Sequence, residues 1–522
     1  MPSNAAKLNA ILKGTIQSPS GQSPSGQSPS ADESTKLNEA YDRNLISQFL
    51  NEPDFIRSLQ LWSEVTTLGH IPTTTKVSYW LSQQISLIDE LLSEQLNLIL
   101  HHPRLQQLES GWRGIWSLID ASSRYNNVKV KVLDVNWREI SKDIDRASDF
   151  DQSQLFHLIY SQEFGIAGGE PYGVLLGDYK ISHRPFPGYP YDDVSTLRGL
   201  AQVAAASFAP FICSAAPQLF GLDDYDTLGQ PINYDNVFRQ QEYIKWRSLR
   251  ETEDARFLGI CLPGILMRKP YTTRLGPYNG MIFKEACDGP THKNYLWGNA
   301  CYAFGTLLIR EFGDVGWFSH IRGVPRDYYG GGLVTGFPSL NYNTDSPGST
   351  HKIINQVIIT DHSERQLSDL GFLPLCQCYD TPFAAFQSCS SLQKPKIFQS
   401  KAASANARIS AMLQQVFCAS RFAHYIKVMI RDKVGSFTSD TDCERMLQHW
   451  FNQYATSRDD LQWEMLARYP LRSARVKVRE LPGKPGCYSS IIHLKPHYIV
   501  DHLVSELKLT TELSLSGFGT AK

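Results

Sequence analysis

The stretch from Phe238 to Tyr271 reads FRQQEYIKWRSLRETEDARFLGICLPGILMRKPY and joins a charge-dense segment to an uncharged one. In its first half we expect a helix with charged pairs one turn apart on the surface, such as Arg250 with Asp254. From Phe257 to Leu262 the chain is continuously apolar. Such a run is typical of a strand buried on both faces of a sheet. The stretch therefore predicts an α/β core built around this strand.

Patterns of strand and helix alternate along the rest of the chain, which predicts a mixed α/β (α+β) architecture with more than one domain. We expect strands where apolar and polar residues alternate and helices where apolar residues recur every three or four positions. The predicted elements include strands at 128–135, 353–360 and 503–513, and helices at 295–312 and 405–434.

Two helices in the first quarter of the chain carry apolar stripes. The first stripe repeats at steps of three and four on one face of a predicted helix, through Leu81, Ile85, Ile88, Leu92, Leu96 and Ile99. The second follows within Arg104–Ile119 and contains Trp112, Ile115, Trp116 and Ile119. The first of these helices needs a partner surface to cover its stripe.

Composition excludes several classes of protein. The 522 residues are 42% hydrophobic and carry a net charge of -1, so the chain can bury a large core and has no overall field for nucleic acid. The ten cysteines form no C-x-x-C pair, and the N-terminus lacks the apolar segment of a signal peptide. We expect a cytoplasmic protein with reduced thiols and no membrane insertion. The repeat SPSGQSPSGQSPS at 18–30 predicts a flexible tether.

Several residues could carry chemistry, but structural roles explain most of them. The glycine-rich loop 330–336 fits no phosphate-binding template, so we expect a turn and no cofactor. His101 and His102 have no further ligand at metal-site spacing, and Cys376 with Cys378 has no second pair, so no metal site is predicted. A cysteine-dependent hydrolase, for example through Cys301 and His320, stays open as an alternative.

A basic stripe lies along the helix predicted at 405–434. Its members are spaced three and four apart on one side: Arg421, His424, Lys427 and Arg431. A solvated helix face explains the spacing without any function. The sharper hypothesis is an interface with acidic residues of a neighbouring subunit, and we favour that one.

The last fifty residues change to strand patterns. Val476 and Val478 alternate with basic residues, and a Pro- and Gly-rich turn leads into a second strand at 488–494. A third strand places Leu503, Leu507 and Leu509 on one face. Long strands of this kind are hazardous when left unpaired, so we expect them to need surfaces that cover them.

Several motifs resemble one family. The stretch YIKWRSLRETEDARFLGICLPGILMRKPY is similar to the signature region of the large subunit of the contractile sheath of bacterial type VI secretion systems. So are LNLILHHPRLQQLESGWRGI, YLWGNACYAFGTLLIREF and SRFAHYIKVMIRDKVGSF, in the family's order. A phage-like or bacteriocin tail sheath is the alternative within the same class.

The resemblance implies a domain organisation and a mechanical function. It implies a tether at 1–74, a helical region at 75–148, a central α/β sheath domain at 149–400 and a helical and strand region for assembly at 401–522. In that last region it implies a strand-exchange surface between subunits, formed by Val476, Val478, Leu503, Leu507 and Leu509. The expected partners are a small sheath subunit, further copies in sixfold rings, an inner tube protein, a baseplate, and an AAA+ unfoldase that recycles the sheath mainly through the small subunit. The family is not enzymatic, so no catalytic residue is expected.

Overall fold

The chain divides into two compact units, Met1–Leu105 with Pro270–Asp288 and Gln106–Lys269 with Gly289–Lys522. The structure is a computed structural model. It describes residues 44–65, 74–164, 166, 168–186, 190–230, 232–272, 280–287, 292–324, 329–341, 352–378, 381–432, 440–458, 463–480, 488–496 and 507–513. Within these ranges, no helix combines the length and apolarity needed to cross a membrane.

The first unit is helical over its described N-terminal residues, whereas its segment 280–287 is extended or irregular. Residues 44–51 are helical, and they precede α1 (Phe55–Val65) and α2 (Thr74–Leu100). The helix predicted from the first apolar stripe is therefore confirmed. Part of the stripe faces solvent, since the exposed fractions of Ile85, Leu92 and Ile99 are 59%, 40% and 49%.

Among the described residues, the second unit contains the strands that form sheets and most of the remaining helices. Its longer helices are α3 (Pro103–Ser122), α4 (Trp137–Arg146), α5 (Asp193–Ser207), α6 (Tyr234–Arg239), α7 (Ile244–Glu251), α8 (Ala300–Val315), α9 (Asp361–Asp369), α10 (Lys401–Ser410), α11 (Leu413–Asp432), α12 (Asp440–Asn452) and α13 (Trp463–Arg468). Short helical turns fill Phe150–Phe164, and His157–Ser161 among them is π-helical.

The central sheet has six strands. They are β1 (Leu175–Ile181), β2 (Phe211–Ala215), β3 (Leu258–Leu262), β6 (Leu333–Val334), β9 (Phe372–Gln377) and β10 (Ala384–Phe386). Their order across the sheet is β1-β2-β3-β9-β10-β6. The first four neighbours run parallel, and β10 and β6 add antiparallel pairs. Two short antiparallel pairs accompany it, formed by β4 (Ile265–Arg268) with β5 (Leu296–Gly298) and by β7 (Leu340–Asn341) with β8 (Lys352–Ile353).

Both faces of the central sheet are buried. Every residue of β3 is buried, and its side chains alternate between two clusters. Ile260 belongs to the first core cluster, with α5 and α7 on one side of the sheet, whereas Cys261 belongs to the second core cluster, with α8 on the other. The strand predicted from the apolar run is confirmed, and so is the mixed α/β class.

The C-terminal sheet has three antiparallel strands. They are β11 (Leu471–Glu480), β12 (Tyr488–Pro496) and β13 (Leu507–Leu513), and β12 lies between the other two. The sheet shares a third core cluster with α11 and α12, which includes Phe422, Leu447 and Ile492. Its strands therefore have a covered face of their own, separate from the central sheet.

The surface pair predicted in the opening stretch is wrong. Arg250 is 7% exposed, and its guanidinium donates to the carbonyl oxygens of Leu392 at 3.1 Å and Asp369 at 3.2 Å. Asp254 lies in a separate 3-10 turn after α7 has ended at Glu251. The buried arginine satisfies backbone acceptors of other segments, which fixes α7 against the core.

The strand predicted at 128–135 is also wrong, since these residues belong to no sheet. Val130 packs on the second core cluster. The alternate positions Lys129 and Lys131 form ion pairs of 2.5 Å with Glu170 and Glu163. The period of two therefore reflects an extended segment lying on the surface of the unit, without a neighbouring strand.

Three other elements differ from their predicted extents. The long helix predicted at 405–434 breaks between α10 and α11, because Leu413 N donates to Cys389 O at 3.0 Å. The helix predicted at 295–312 begins at Ala300, because the residues before it pair as β5. Of the strand predicted at 353–360, only the first residue is in β8.

Candidate assembly surfaces

His424 of the basic stripe lies in the interior. It is 1% exposed, and Nε2 forms a 3.0 Å hydrogen bond with the carbonyl oxygen of Ser207. Burial lowers the pKa of His424 to about 3, so the imidazole is neutral at ordinary pH. This residue of α11 therefore packs on the end of α5 within the chain, and its role at an interface stays a prediction.

The ammonium group of Lys427 lies over aromatic rings of the same chain. Its Nζ lies 4.7 Å from the ring centroid of Phe208, 5.0 Å from that of Tyr160 and 5.1 Å from that of Phe164. Burial lowers the pKa of this lysine to about 8. The rings supply cation–π attraction that offsets part of the lost hydration. Lys427 is therefore a half-buried residue that contacts rings of its own chain, and its role at an interface stays a prediction.

The remaining members of the stripe are Arg421 and Arg431. Arg421 lies over the rings of Phe312 and Tyr425, 5.0 Å and 4.6 Å from their centroids. Arg431 ends the stripe within α11, and its side chain lies outside the described residues. An interface role stays a prediction for these two arginines.

Val476 and Val478 form the covered face of the C-terminal sheet. They are 4% and 5% exposed and pack with Leu447 and Phe451 of α12. The residues between and beside them, Arg475, Lys477 and Arg479, are exposed on the opposite face. The predicted alternation is confirmed. The two valines contact the chain's own helix, and their role at an interface between subunits stays a prediction.

The outer edge of β11 is occupied by side chains of α12. Gln448 donates through Nε2 to Ala474 O at 3.0 Å and accepts through Oε1 from Val476 N at 3.2 Å. Glu444 accepts from Val478 N at 3.2 Å. Two side chains thus satisfy backbone groups that an added strand would otherwise use.

The other edge of the sheet is β13, which pairs antiparallel with β12. Leu507 aligns with Leu494, and Leu509 aligns with Ile492. Leu503 lies outside the described residues. Within the described part of the chain, β13 has β12 as its one strand neighbour. Strand pairing is therefore seen for Leu507 and Leu509, and a role in joining subunits stays a prediction.

The thiols considered for catalysis are buried. Cys301 is fully buried in α8, and burial raises its pKa well above the usual range. Burial also raises the pKa of Cys376 to about 12 and that of Cys378, while it lowers the pKa of His320 to about 4. A nucleophilic cysteine needs the thiolate and a base near neutrality. These environments favour the unreactive forms.

The glycine-rich loop 330–336 is anchored from within the chain. Arg310 of α8 donates to Leu333 O at 2.6 Å and to Gly331 O at 2.5 Å. Gly331 has φ of 59°, a conformation that favours glycine. Two carbonyl oxygens of the loop thus point toward the guanidinium of Arg310. The loop is a turn fixed by contacts within the chain.

A large apolar surface lies on α3, and the sequence patterns gave it no role. One face of the helix is buried, where Gly114 lies against the ring of Tyr302. The opposite face exposes Trp112 by 65% and Trp116 by 69%, together with Leu108 and Ile119. Exposed tryptophans at this spacing indicate a protein-binding surface. The spacing was visible in the sequence, but which side would face the core was not.

Comparisons with known proteins place the chain in a family. A family model described as the EvpB/VC_A0108 tail sheath N-terminal domain matches residues 82–393, and one described as the tail sheath gpW/gp25-like domain matches residues 402–513. The chain is 38% identical over 432 residues to the type VI secretion system sheath protein TssC1 of Pseudomonas aeruginosa, which covers 82% of this chain and 85% of that one.

These matches define the chain as a tail sheath protein. It belongs to the VipB/EvpB family, the large subunits of the contractile sheath of type VI secretion systems, as the sequence motifs predicted. A cryo-EM structure of the anti-feeding prophage baseplate, 6-fold symmetrised, is a remote neighbour at 9% identity, covering 76% of this chain and 82% of that one. Its TM-score of 0.31 is too low to define a shared fold.

Proposed function

We propose that this chain is a non-enzymatic, cytoplasmic subunit that binds a small sheath subunit and assembles with further copies into stacked sixfold rings. Contraction of the rings would drive an inner tube protein outward from a baseplate, and an AAA+ unfoldase would recycle the contracted sheath mainly through the small subunit. The naming of its relative as a sheath protein supports assembly of this kind. The domain boundaries at 74, 148 and 400 belong to this proposal.

The observation that carries the proposal is the exposed face of α3. Trp112 and Trp116 lie one turn apart, with Leu108 and Ile119 continuing the same apolar surface. Two indoles of this size leave far more apolar area in water than scattered surface residues do. The helix is firmly fixed on its other side, where Leu118 is 6% exposed in the second core cluster. A rigid helix presenting two tryptophans suits an apolar helix or groove of a partner.

The experiment is coexpression with the small sheath subunit, followed by copurification and electron microscopy. The double variant Trp112→Ser with Trp116→Ser should lose the heterodimer, because central tryptophans carry much of the affinity of a protein interface. Ile397→Ser is a matched control, since Ile397 is 87% exposed and lies on a different segment. Tubules from the double variant at the amount seen for the control would overturn this role of α3.

The second part of the proposal concerns links between neighbouring subunits. The α12 side chains already satisfy backbone groups along the β11 edge, so we propose that strand addition takes place beside β13. A strand added there would bind through main-chain hydrogen bonds and allow subunits to tilt without separating. The pairing with β12 supports this arrangement. It occupies one edge of β13 along Leu507–Leu513, so an added strand would pair along the opposite edge.

A further inference from the structure

Three side chains that are distant in sequence meet in the first unit. His101 follows the last residue of α2, and Glu285 and Cys287 lie on the described segment 280–287. The His101 ring, the Glu285 carboxylate and the Cys287 sulfur each offer one atom, and these atoms all lie within 4.8 Å of one another. Sequence spacing predicted no metal site, because the partners of His101 lie more than 180 positions away.

The segment is held against α2 by its own backbone. Ala286 N donates to Asn97 Oδ1 at 3.0 Å, and Ile282 N donates to Asp89 Oδ2 at 3.3 Å. Glu285 N donates to Tyr271 O at 2.9 Å, and its carboxylate accepts from Tyr271 N at 2.8 Å. One carboxylate oxygen is thereby oriented while the other lies toward His101. The side chains are thus placed by main-chain contacts on both sides, as the ligands of a built site are.

The approach of His101 to Glu285 is not a good hydrogen bond. Nε2 lies 3.4 Å from Oε1, and among the described residues this buried nitrogen has no hydrogen-bond partner. A charge-assisted hydrogen bond between such groups is about 2.7–2.9 Å long. Buried polar atoms normally have a hydrogen-bond partner. An ion or a water molecule bound between His101 and Glu285 would supply one.

Two of the three side chains, those of Glu285 and Cys287, are buried, unlike the side chains of an ordinary surface ion pair. Glu285 is 2% exposed and Cys287 is 4% exposed. An ionised carboxylate in such a place needs a compensating positive charge. A divalent cation held by one carboxylate, one thiolate and one neutral imidazole forms a site with no net charge. The thiol proton leaves to solvent as the metal–sulfur bond forms.

We propose that His101, Glu285 and Cys287 bind one Zn²⁺ ion, with the fourth position filled by water. Sulfur and imidazole ligands favour zinc over magnesium or calcium, which prefer oxygen. The metal would fasten the segment 280–287 to the C-terminal end of α2. It is a structural clamp within one unit, and it is independent of how the sheath assembles.

The test measures metal on the full chain copurified with its small subunit. Mass spectrometry of the metal content should find about one zinc per large subunit, in keeping with a single three-ligand site. Cys287→Ser and His101→Gln should each lose most of it. Cys378→Ser is the matched control and should keep it, since Cys378 is half-buried elsewhere in the chain.

Cobalt substitution makes the test independent of the variants. Co²⁺ added to metal-free wild-type protein should give the near-ultraviolet charge-transfer band of a thiolate ligand, and Cys287→Ser should lack it. A wild-type chain that shows no such band and holds no zinc after dialysis against zinc would overturn the proposal. Equal zinc in wild type, Cys287→Ser and His101→Gln would overturn it as well, because the metal would then be bound elsewhere.

Discussion

The two sheets of the second unit differ in how their faces are used. The central sheet is buried on both faces, and each residue of β3 contacts one of two core clusters. The C-terminal sheet is buried on one face, where Val476 and Ile492 pack on α12, and exposes a row of basic side chains on the other. The first sheet is enclosed on both faces, and the second is covered on one face only, with β11 and β13 as the edges among its described strands.

Because of this difference, we expect the central sheet to determine the stability of the fold and the C-terminal sheet to determine the association of chains. A parallel sheet with helices on both sides has little room for another molecule. An antiparallel sheet with one wet face can gain a strand without disturbing its core. We therefore expect substitutions in the central sheet to affect folding of the chain, and substitutions in the C-terminal sheet to affect the joining of chains.

The largest effect is expected from Leu507→Pro in β13. Proline removes a backbone donor and fixes φ, so it should prevent pairing along this strand. Pairing with the small subunit should persist, while long sheaths should disappear, leaving heterodimers without tubules in electron micrographs. Leu507→Ala is the control and should form tubules. Normal tubules from the proline variant would refute the strand-addition role, and loss of the heterodimer would show that β13 belongs to the folded core.

A matched pair of core truncations compares the sheets directly. Ile260 in β3 and Ile492 in β12 are both 0% exposed. Each Ile→Ala change removes the same atoms, at about 2–5 kcal/mol. Ile260→Ala should lower the global unfolding free energy by that amount, whereas Ile492→Ala should mainly raise amide exchange within β11 and β12. Equal exchange throughout the chain in both variants would mean that the sheets unfold as one.

A smaller effect is expected at the protected edge. Gln448→Leu removes the side chain that bonds Ala474 O and Val476 N, at about 1–3 kcal/mol for unsatisfied groups. The freed edge should promote association between chains, seen as a rise in light scattering of the purified complex. Gln453→Leu is a control for added apolarity on a nearby exposed residue. A complex that stays monodisperse would show that the edge needs no cap.

The smallest effect is a pH dependence from His424. Its pKa falls from 6.5 to about 3 on burial, so the unfolded chain takes up the proton first as the pH drops. This contribution to stability is complete above pH 6.5 and is lost progressively below it, by about 1 kcal/mol over the first pH unit. His424→Gln retains a donor for Ser207 O and should flatten this slope in urea titrations. An unchanged slope would place the titrating group elsewhere.

Local patterns predicted the core strands well and the basic stripe poorly. The run ending at Leu262 is apolar throughout, and only a strand between two layers buries such a run. His424 and Lys427 are spaced like a solvated face, yet a histidine can be buried neutral and a lysine can lie on aromatic rings. Spacing reports which residues share a face of a helix, while the direction of that face depends on distant segments such as Ser207–Phe208.

The predicted helix lengths were wrong for a related reason. The break before Leu413 is set by a hydrogen bond to Cys389 O, more than twenty positions away in sequence. The clamp residues His101 and Glu285 were beyond prediction because the chain brings them together only after folding. The tryptophans of α3 were visible as a stripe, but their exposure depends on which side Tyr302 fills.

Helix α11 belongs to both bodies that the two sheets define. Leu413 and Phe417 at its start are part of the second core cluster beneath the central sheet, and Phe422 and Ile426 further along are part of the third cluster. The two matching family models meet between residues 393 and 402, well before this helix. Cutting the chain at that junction would remove three buried side chains, Leu413, Phe417 and Cys418, from the second core cluster and leave a cavity there. The boundary between the two core clusters therefore lies in the middle of α11. Chimaeras between relatives should exchange this helix whole.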